Sequence, residues 1–266
     1  MAGRKLCLTW MPTEEGAPAP DAAVAALDQA GFDVFGARWK DDVLQHAWAE
    51  LADALAEPTS AEVWVVAARK QDLEVETNRW GLSAATAVVR SKRGAQPPHF
   101  VLVGLDFTPK AEDLPHPLRR HVLLDGSRPW AARLTLAVRG KPAATRPEGF
   151  HLGAVGHPHV GLWLVAAPAE GAWQGVMLGV SDGAKIQQHG VGRRDELPKD
   201  TVLEFPIDEI QAEVAGTEFL ACACKNEVGP EHAYWVQVQG RPRRVLVGGY
   251  PGDEDGGGDA WIVDLS

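Results

Sequence analysis

Two short valine-rich runs constrain this chain more than any other feature. Residues 61–68 (AEVWVVAA) and 99–105 (HFVLVGL) are nearly continuous and apolar, and proline, glycine or charged residues bound each of them. Runs of this length, rich in β-branched residues, are typical of strands buried on both faces of a parallel sheet. The intervening 69–98 segment is long enough for a crossover, with its most helical part over 82–89 and two prolines beyond it. The sequence therefore predicts a βαβ unit.

The first 140 residues alternate short apolar runs with helical patterns. This alternation indicates a doubly wound, mostly parallel α/β sheet, because each helix must return the chain to the same edge of the sheet. Besides the central unit, we expect helices at 22–30 and 41–55 and strands at 5–11, 122–124 and 131–138, while 32–39 is an ambiguous second strand.

The second half of the chain has almost no helical pattern. The stretch RGKPAATRPEG holds two prolines and two glycines, so we place an α/β domain at 1–140, a linker at 141–149 and a β domain at 150–266. Alternating side chains and frequent turns predict an antiparallel sandwich or barrel-like domain, with a hairpin turn at 181–184. Its strands are expected at 160–167, 173–180, 201–205, 218–224, 234–239, 244–247 and 260–265.

Composition and charge exclude several classes of function. The chain has 266 residues, is 45% hydrophobic and 23% charged, and carries a net charge of −10. This acidity argues against a nucleic-acid partner, which needs a basic face to displace counterions. Three cysteines are too few for a disulfide framework and fit a reducing, bacterial-type cytoplasm. No segment approaches the roughly 20 apolar residues that cross a bilayer, so we expect no membrane partner.

The best candidate for a ligand site follows from the parallel sheet. Ligands of such sheets bind beyond the carboxyl ends of the strands, and the entrance to a helix offers backbone N–H groups to an anion. The chain lacks the G-x-G-x-x-G and P-loop patterns. We therefore expect a site for a small molecule, such as a nucleotide, that has no recognised sequence motif. The nominated residues are Arg69, Asp72, Glu76, Asn78, Arg79, Ser83 and Asp106.

A second candidate site is a cluster of histidines. In the stretch HLGAVGHPHVGLW, His151, His157 and His159 are close in sequence, and imidazole nitrogens are common ligands of divalent metals. This pattern predicts a metal site, although a further ligand would have to come from another strand. Cys222 and Cys224, spaced C-x-C with no second pair, are expected to be buried structural cysteines instead.

The layout of the first domain resembles the TIR and CARF-type sensor folds, in which a long loop follows a central strand. TIR-like NAD hydrolases carry a catalytic glutamate on the helix that follows this strand, so the resemblance implies a glutamate at that place here. The helix predicted over 82–93 contains no acidic residue. With ten tryptophans to supply contact surface, we expect a non-catalytic adaptor that binds another protein and holds no cofactor. The alternatives are a nucleotide- or NAD-binding sensor or hydrolase and a metal-dependent hydrolase, so enzymatic activity stays open.

Overall fold

Two compact units, Met1–Thr145 and Arg146–Ser266, make up the chain. The computed structural model describes residues 3–11, 21–40, 42, 46–94, 96–140, 149–250 and 259–266. The predicted fold class is confirmed, because the first unit has a parallel sheet with helices and the second has two antiparallel sheets. The predicted linker at 141–149 lies outside the described residues except for Gly149 and stays a prediction.

The first unit is built on a five-stranded parallel sheet. Its strands are β1 (Arg4–Trp10), β2 (Phe32–Arg38), β3 (Val63–Ala68), β4 (His99–Gly104) and β5 (Val122–Asp125), and its helices are α1 (Asp21–Gln29), α2 (Ala47–Ala56), α3 (Lys70–Glu74), α4 (Glu76–Arg93) and α5 (Trp130–Ala137). The strand order is β2-β1-β3-β4-β5. This is the flavodoxin-like order, in which the order of strand addition reverses between β1 and β3; in such sheets ligands bind beyond the carboxyl ends of the strands at this point.

The inner strands of the first unit's sheet are buried on both faces. One face, which carries Leu8, Val65 and Val103, packs against Leu27 of α1 and Leu134 of α5. On the other face, the Arg90 guanidinium of α4 lies 4.9 Å from the centre of the Phe100 ring. Every residue of β3 and β4 is buried. The valine-rich runs therefore form two adjacent interior strands of the sheet, as the sequence predicts.

Two expectations for the first unit were wrong. Residues 131–138 were expected to form a strand, but they lie almost entirely in helix α5. Trp130, Leu134 and Val138 recur at intervals of four residues and are all buried, which is the pattern of a helix that packs on one stripe. The helix expected over 82–93 begins earlier, at Glu76, so it does carry an acid in its first turn.

The described residues of the second unit form nine strands in two antiparallel sheets. They are β6 (Phe150–His157), β7 (Gly161–Pro168), β8 (Val176–Val180), β9 (Lys185–Arg193), β10 (Ile207–Val214), β11 (Thr217–Cys224), β12 (His232–Gln239), β13 (Arg244–Gly249) and β14 (Ala260–Asp264). The sheet orders are β10-β11-β8-β13-β14 and β6-β7-β12-β9. Side chains of the two sheets meet in the core, where the Tyr234 hydroxyl donates to Cys222 Sγ at 3.2 Å.

Two further expectations failed in the second unit. Residues 201–205 form no strand, since the Thr201 hydroxyl accepts from and donates to the backbone of Val191 and the strand begins only at Ile207. The turn at 181–184 is tight, with φ values of 58° at Asp182 and 76° at Gly183. It joins β8 and β9, which lie in different sheets, so it is a crossing between sheets and not a hairpin. Among the described residues of the whole chain, no helix has the length and apolar composition to span a membrane.

Candidate ligand-binding site

The loops that follow β3 and β4 are joined at the carboxyl edge of the parallel sheet. The backbone N–H of Lys70 donates to Asp106 Oδ1 at 2.8 Å, and the N–H of Leu105 donates to the Ala68 carbonyl at 2.8 Å. The first of these bonds caps the short helix α3, since the first N–H groups of a helix have no partner within it. The structure thus brings polar groups of both loops to one place.

Asp72 is a buried carboxyl group in this arrangement. It is only 5% exposed and accepts a 2.7 Å hydrogen bond from the backbone N–H of Arg69. Burial raises the pKa of the Asp72 carboxyl, and the negative charge of Asp106 adds to that effect, while the hydrogen bond and the charge of Arg69 oppose it. The Asp72 carboxyl group keeps acceptor positions beyond the one that the Arg69 N–H uses.

Asn78 connects Asp72 to the end of the β1–β2 pair. Its Nδ2 donates to the Asp72 carbonyl at 2.9 Å, and its Oδ1 accepts from Trp39 Nε1 at 2.9 Å. The backbone N–H of Trp39, which follows β2, donates in turn to the Trp10 carbonyl at the end of β1. The amide of Asn78 is therefore fixed between the α3–α4 turn and the end of the β1–β2 pair. We call Arg69, Asp72, Asn78 and Asp106 the crevice cluster.

The other residues nominated near this site have different positions. Glu76 is exposed at the first residue of α4. The backbone N–H of Arg79 already donates to the Val75 carbonyl, and Ser83 is fully buried in the helix interior. The helix begins six residues earlier than its strongest sequence pattern, so Arg79 and Ser83 lie inside α4 and not at its entrance.

The three histidines do not form one cluster. His151 lies near the start of β6 and His157 at its end, so the strand separates them by roughly 20 Å. His157 and His159 are neighbours, with ring centres 5.4 Å apart, and the backbone N–H of His159 donates to His157 Nδ1. Within the described ranges there is no group of three His, Cys, Asp or Glu side chains placed to hold a metal ion. The structure therefore separates His151 from His157 and His159, and a metal site at these histidines stays a prediction.

Sequence reasoning missed a chain of polar side chains between the two sheets of the second unit. Asp208 Oδ1 lies 2.8 Å from His189 Nε2, and His189 Nδ1 lies 2.5 Å from the Tyr234 hydroxyl. That hydroxyl donates to Cys222 Sγ. The four residues come from β10, β9, β12 and β11, so no local pattern could have joined them. We call this set the inter-sheet chain.

The chemistry of the inter-sheet chain is that of a structural network. Tyr234 and Cys222 are 0% and 1% exposed, and burial raises the pKa of the Cys222 thiol to about 12 and also raises the pKa of Tyr234. The thiol stays protonated at neutral pH, and a protonated, buried thiol is not a nucleophile. The expectation that Cys222 and Cys224 are buried is confirmed.

Comparisons with known proteins give no match, so a function has to be assigned from the geometry of the site. No protein-family model matches this chain. A comparison with curated proteins also gives no match. The crevice cluster and the residues around it therefore carry the functional argument.

Proposed function

We propose that the first unit binds a small polar ligand of the nucleotide class in the crevice between β1 and β3, and that the protein works as a sensor of that ligand. The observation that carries this proposal is the crevice cluster, which gathers a buried carboxyl group, a fixed amide and exposed charged groups where the strand order reverses. Such positions are the usual ligand sites of open α/β sheets.

The side chains of the crevice suit the two ends of a nucleotide. Arg69 and Lys70 are exposed and positively charged, as phosphate groups require. Lys70 forms an exposed ion pair with Glu74 at 3.8 Å, and such a pair is weak enough to yield to a phosphate. Asp72 and Asn78 supply hydrogen-bonding groups for a base or a ribose.

Calorimetric titration of the full chain tests this proposal. ATP, NAD⁺ and cyclic AMP are the probes, and we expect at least one to bind and its affinity to fall about tenfold in Arg69→Ala, because a charge-assisted contact is lost. The matched control is Arg139→Ala, an exposed arginine after α5. Its neighbour Val138 accepts from Arg4 at the start of β1, so the control lies at the opposite edge of the sheet. Absence of binding by all three probes, or equal losses in both variants, would contradict the proposal.

A second candidate function, protein interaction, is favoured by an exposed apolar segment in the second unit. Val202 and Phe205 are 83% and 72% exposed, and Lys225 Nζ lies 5.4 Å from the centre of the Phe205 ring. Large apolar side chains at such exposure are typical of contact surfaces. A photo-crosslinking amino acid at position 205 should capture a specific protein in cell extract, and one at the control position Leu136, which is 60% exposed, should not. Identical products at both positions would remove this candidate.

A further inference from the structure

The inter-sheet chain places one titratable ring between two groups of different hydrogen-bonding capacity. Asp208 Oδ1 lies 2.8 Å from His189 Nε2, and the Tyr234 hydroxyl lies 2.5 Å from His189 Nδ1. An ionised carboxylate only accepts hydrogen bonds, whereas a hydroxyl both donates and accepts. The His189 side chain is 6% exposed, so its ring nitrogens depend on these two partners. The number of protons on the ring therefore decides in which direction the hydroxyl donates.

The far end of the inter-sheet chain is also fixed by hydrogen bonds. The Tyr234 hydroxyl lies 3.2 Å from Cys222 Sγ, and the Cys222 thiol donates to the Leu178 carbonyl at 3.8 Å. Because the proton of the thiol is used there, its sulfur is left as an acceptor for the Tyr234 hydroxyl. Tyr234 lies on β12 and Cys222 on β11, so this hydrogen bond joins the two sheets of the second unit.

Protonated and neutral His189 require opposite directions of the bond to Tyr234. As an imidazolium, the ring donates through Nε2 to Asp208 and through Nδ1 to the Tyr234 oxygen, so the hydroxyl proton is free to bond to Cys222. As a neutral imidazole, the ring keeps its Nε2 proton because Asp208 only accepts, and Nδ1 becomes an acceptor. The Tyr234 hydroxyl then donates to Nδ1. In this change one proton passes from the ring to water, while Tyr234 and Cys222 keep theirs.

The other titratable groups around the ring come from two neighbouring strands and one loop. Cys222 and Cys224 of β11 and Asp208 of β10 act on Tyr234, and Glu204, before β10, acts on Cys224. Burial raises the pKa of Cys222 to about 12 and also raises the pKa values of Cys224 and Tyr234. These three groups therefore stay protonated at neutral pH. An imidazole is the side chain that changes its charge in this range.

We propose that the inter-sheet chain is a pH-sensitive switch, in which protonation of His189 turns the Tyr234 hydroxyl away from His189, in its own sheet, and toward Cys222, in the other sheet. Protons reach the ring at Nε2, since the partner of this nitrogen, Asp208, is 71% exposed. Loss of the ring proton removes the O–H donor from Cys222 and so weakens a polar link between the sheets. The switch lies in the second unit and does not depend on the proposed crevice ligand.

Two spectroscopic signals of the full chain test this switch during titration between about pH 5 and pH 8. Nitrogen NMR of the histidine rings distinguishes an imidazolium from each neutral tautomer, and His189→Gln identifies the signal. The infrared S–H stretching band reports the hydrogen bonds of a thiol, and Cys222→Ala identifies it. As pH rises, we expect His189 to change from imidazolium to the Nε2–H tautomer. The Cys222 band should shift with the same midpoint, because the sulfur loses its O–H donor.

Three variants decide the outcome. In Tyr234→Phe the His189 ring should still titrate but the Cys222 band should no longer follow it, because the hydroxyl that links them is gone. Asp208→Asn, which changes only the exposed end, serves if the phenylalanine variant does not fold. It should move both transitions about 0.3 pH units lower, because an exposed carboxylate favours the imidazolium weakly. His157→Gln, at an exposed histidine that ends β6, is the matched control and should leave both transitions unchanged.

Four results would overturn the proposal. They are a His189 ring that keeps one charge state across this range, a neutral ring protonated at Nδ1, a Cys222 band that stays constant while His189 titrates, and coupled transitions that persist in Tyr234→Phe.

Discussion

The crevice cluster and the inter-sheet chain are both polar and partly buried, yet they are built in opposite ways. In the crevice cluster, Asp72 and Asp106 accept from backbone N–H groups of a loop. In the inter-sheet chain, side chains from four strands bond to one another, and Tyr234 and Cys222 are inaccessible. The first arrangement leaves the side chains of Arg69 and Asp106 exposed, where a ligand can reach them. The second consumes its polar groups inside the fold, so it serves stability.

Among substitutions in the crevice cluster and the inter-sheet chain, Tyr234→Phe is expected to change the free energy of unfolding most. This change deletes one hydroxyl and leaves His189 and Cys222 without their central partner in a buried place. We expect the free energy of unfolding of the second unit to fall by about 2 kcal/mol, as is usual when a buried polar group loses its partner. Chemical denaturation monitored by far-UV circular dichroism measures it.

Tyr250→Phe is the matched control, because these are the chain's two tyrosines and Tyr250 is half-buried. It should change the free energy of unfolding by less than about 0.5 kcal/mol. Equal effects of the two substitutions would show that the Tyr234 hydroxyl stabilises the fold no more than the Tyr250 hydroxyl does.

A smaller loss of stability, but a loss of binding, is expected from Asp72→Ala. The substitution removes the acceptor for the Arg69 N–H and should lower the free energy of unfolding of the first unit by about 1 kcal/mol, as for other caps. Nucleotide binding measured by calorimetry should be lost as well. The control is Asp53→Ala, whose carboxylate pairs with Lys92 at 2.7 Å on the surface. Native binding in Asp72→Ala would separate Asp72 from the ligand site.

The pH dependence of stability sharpens the same contrast. Because the pKa of Asp72 is raised in the folded state, the folded protein binds this proton more tightly than the unfolded chain does. The stabilisation is complete below the usual value of 3.8 and is lost as pH rises through the raised pKa. The free energy of unfolding of the native protein relative to Asp72→Asn should therefore fall as pH rises through this window. A constant difference between the two proteins would contradict the raised pKa.

The smallest effect is expected at the outer end of the inter-sheet chain. Asp208 is 71% exposed, so Asp208→Asn keeps an acceptor near His189 and loses only a solvent-screened charge. We expect a change of about 0.5 kcal/mol or less in thermal or chemical unfolding. A change in the free energy of unfolding as large as that of Tyr234→Phe would mean that the exposed Asp208–His189 contact supplies most of the network's stabilisation.

The sequence predicts the central part of the first unit well because its signals are local. The strands at 61–68 and 99–105 need only their own apolar runs to be recognised, and Asp72 and Asp106 follow from their positions just beyond those strands. The helix α5 was mistaken for a strand because alternation at Leu134 and Leu136 imitates a strand, although Leu136 is 60% exposed.

Residues that meet only through strand pairing were not predictable. His189 and Asp208 lie 19 positions apart. Tyr234 contacts His189 on the neighbouring strand of its own sheet and Cys222 on the other sheet. The three histidines show the converse, since residues close in sequence along an extended strand can lie far apart in space, as His151 and His157 do on β6. The register of the sheets, and not the spacing in sequence, decides which polar groups meet.

The most direct test of the central claim is hydrogen–deuterium exchange of the full chain with and without the nucleotide that binds in calorimetry. The account predicts slower exchange over residues 69–78 and 104–107, which include the crevice cluster, and no change in the strands of the inter-sheet chain. Protection confined to β9–β12, with none around Asp72, would contradict it and move the ligand site to the second unit.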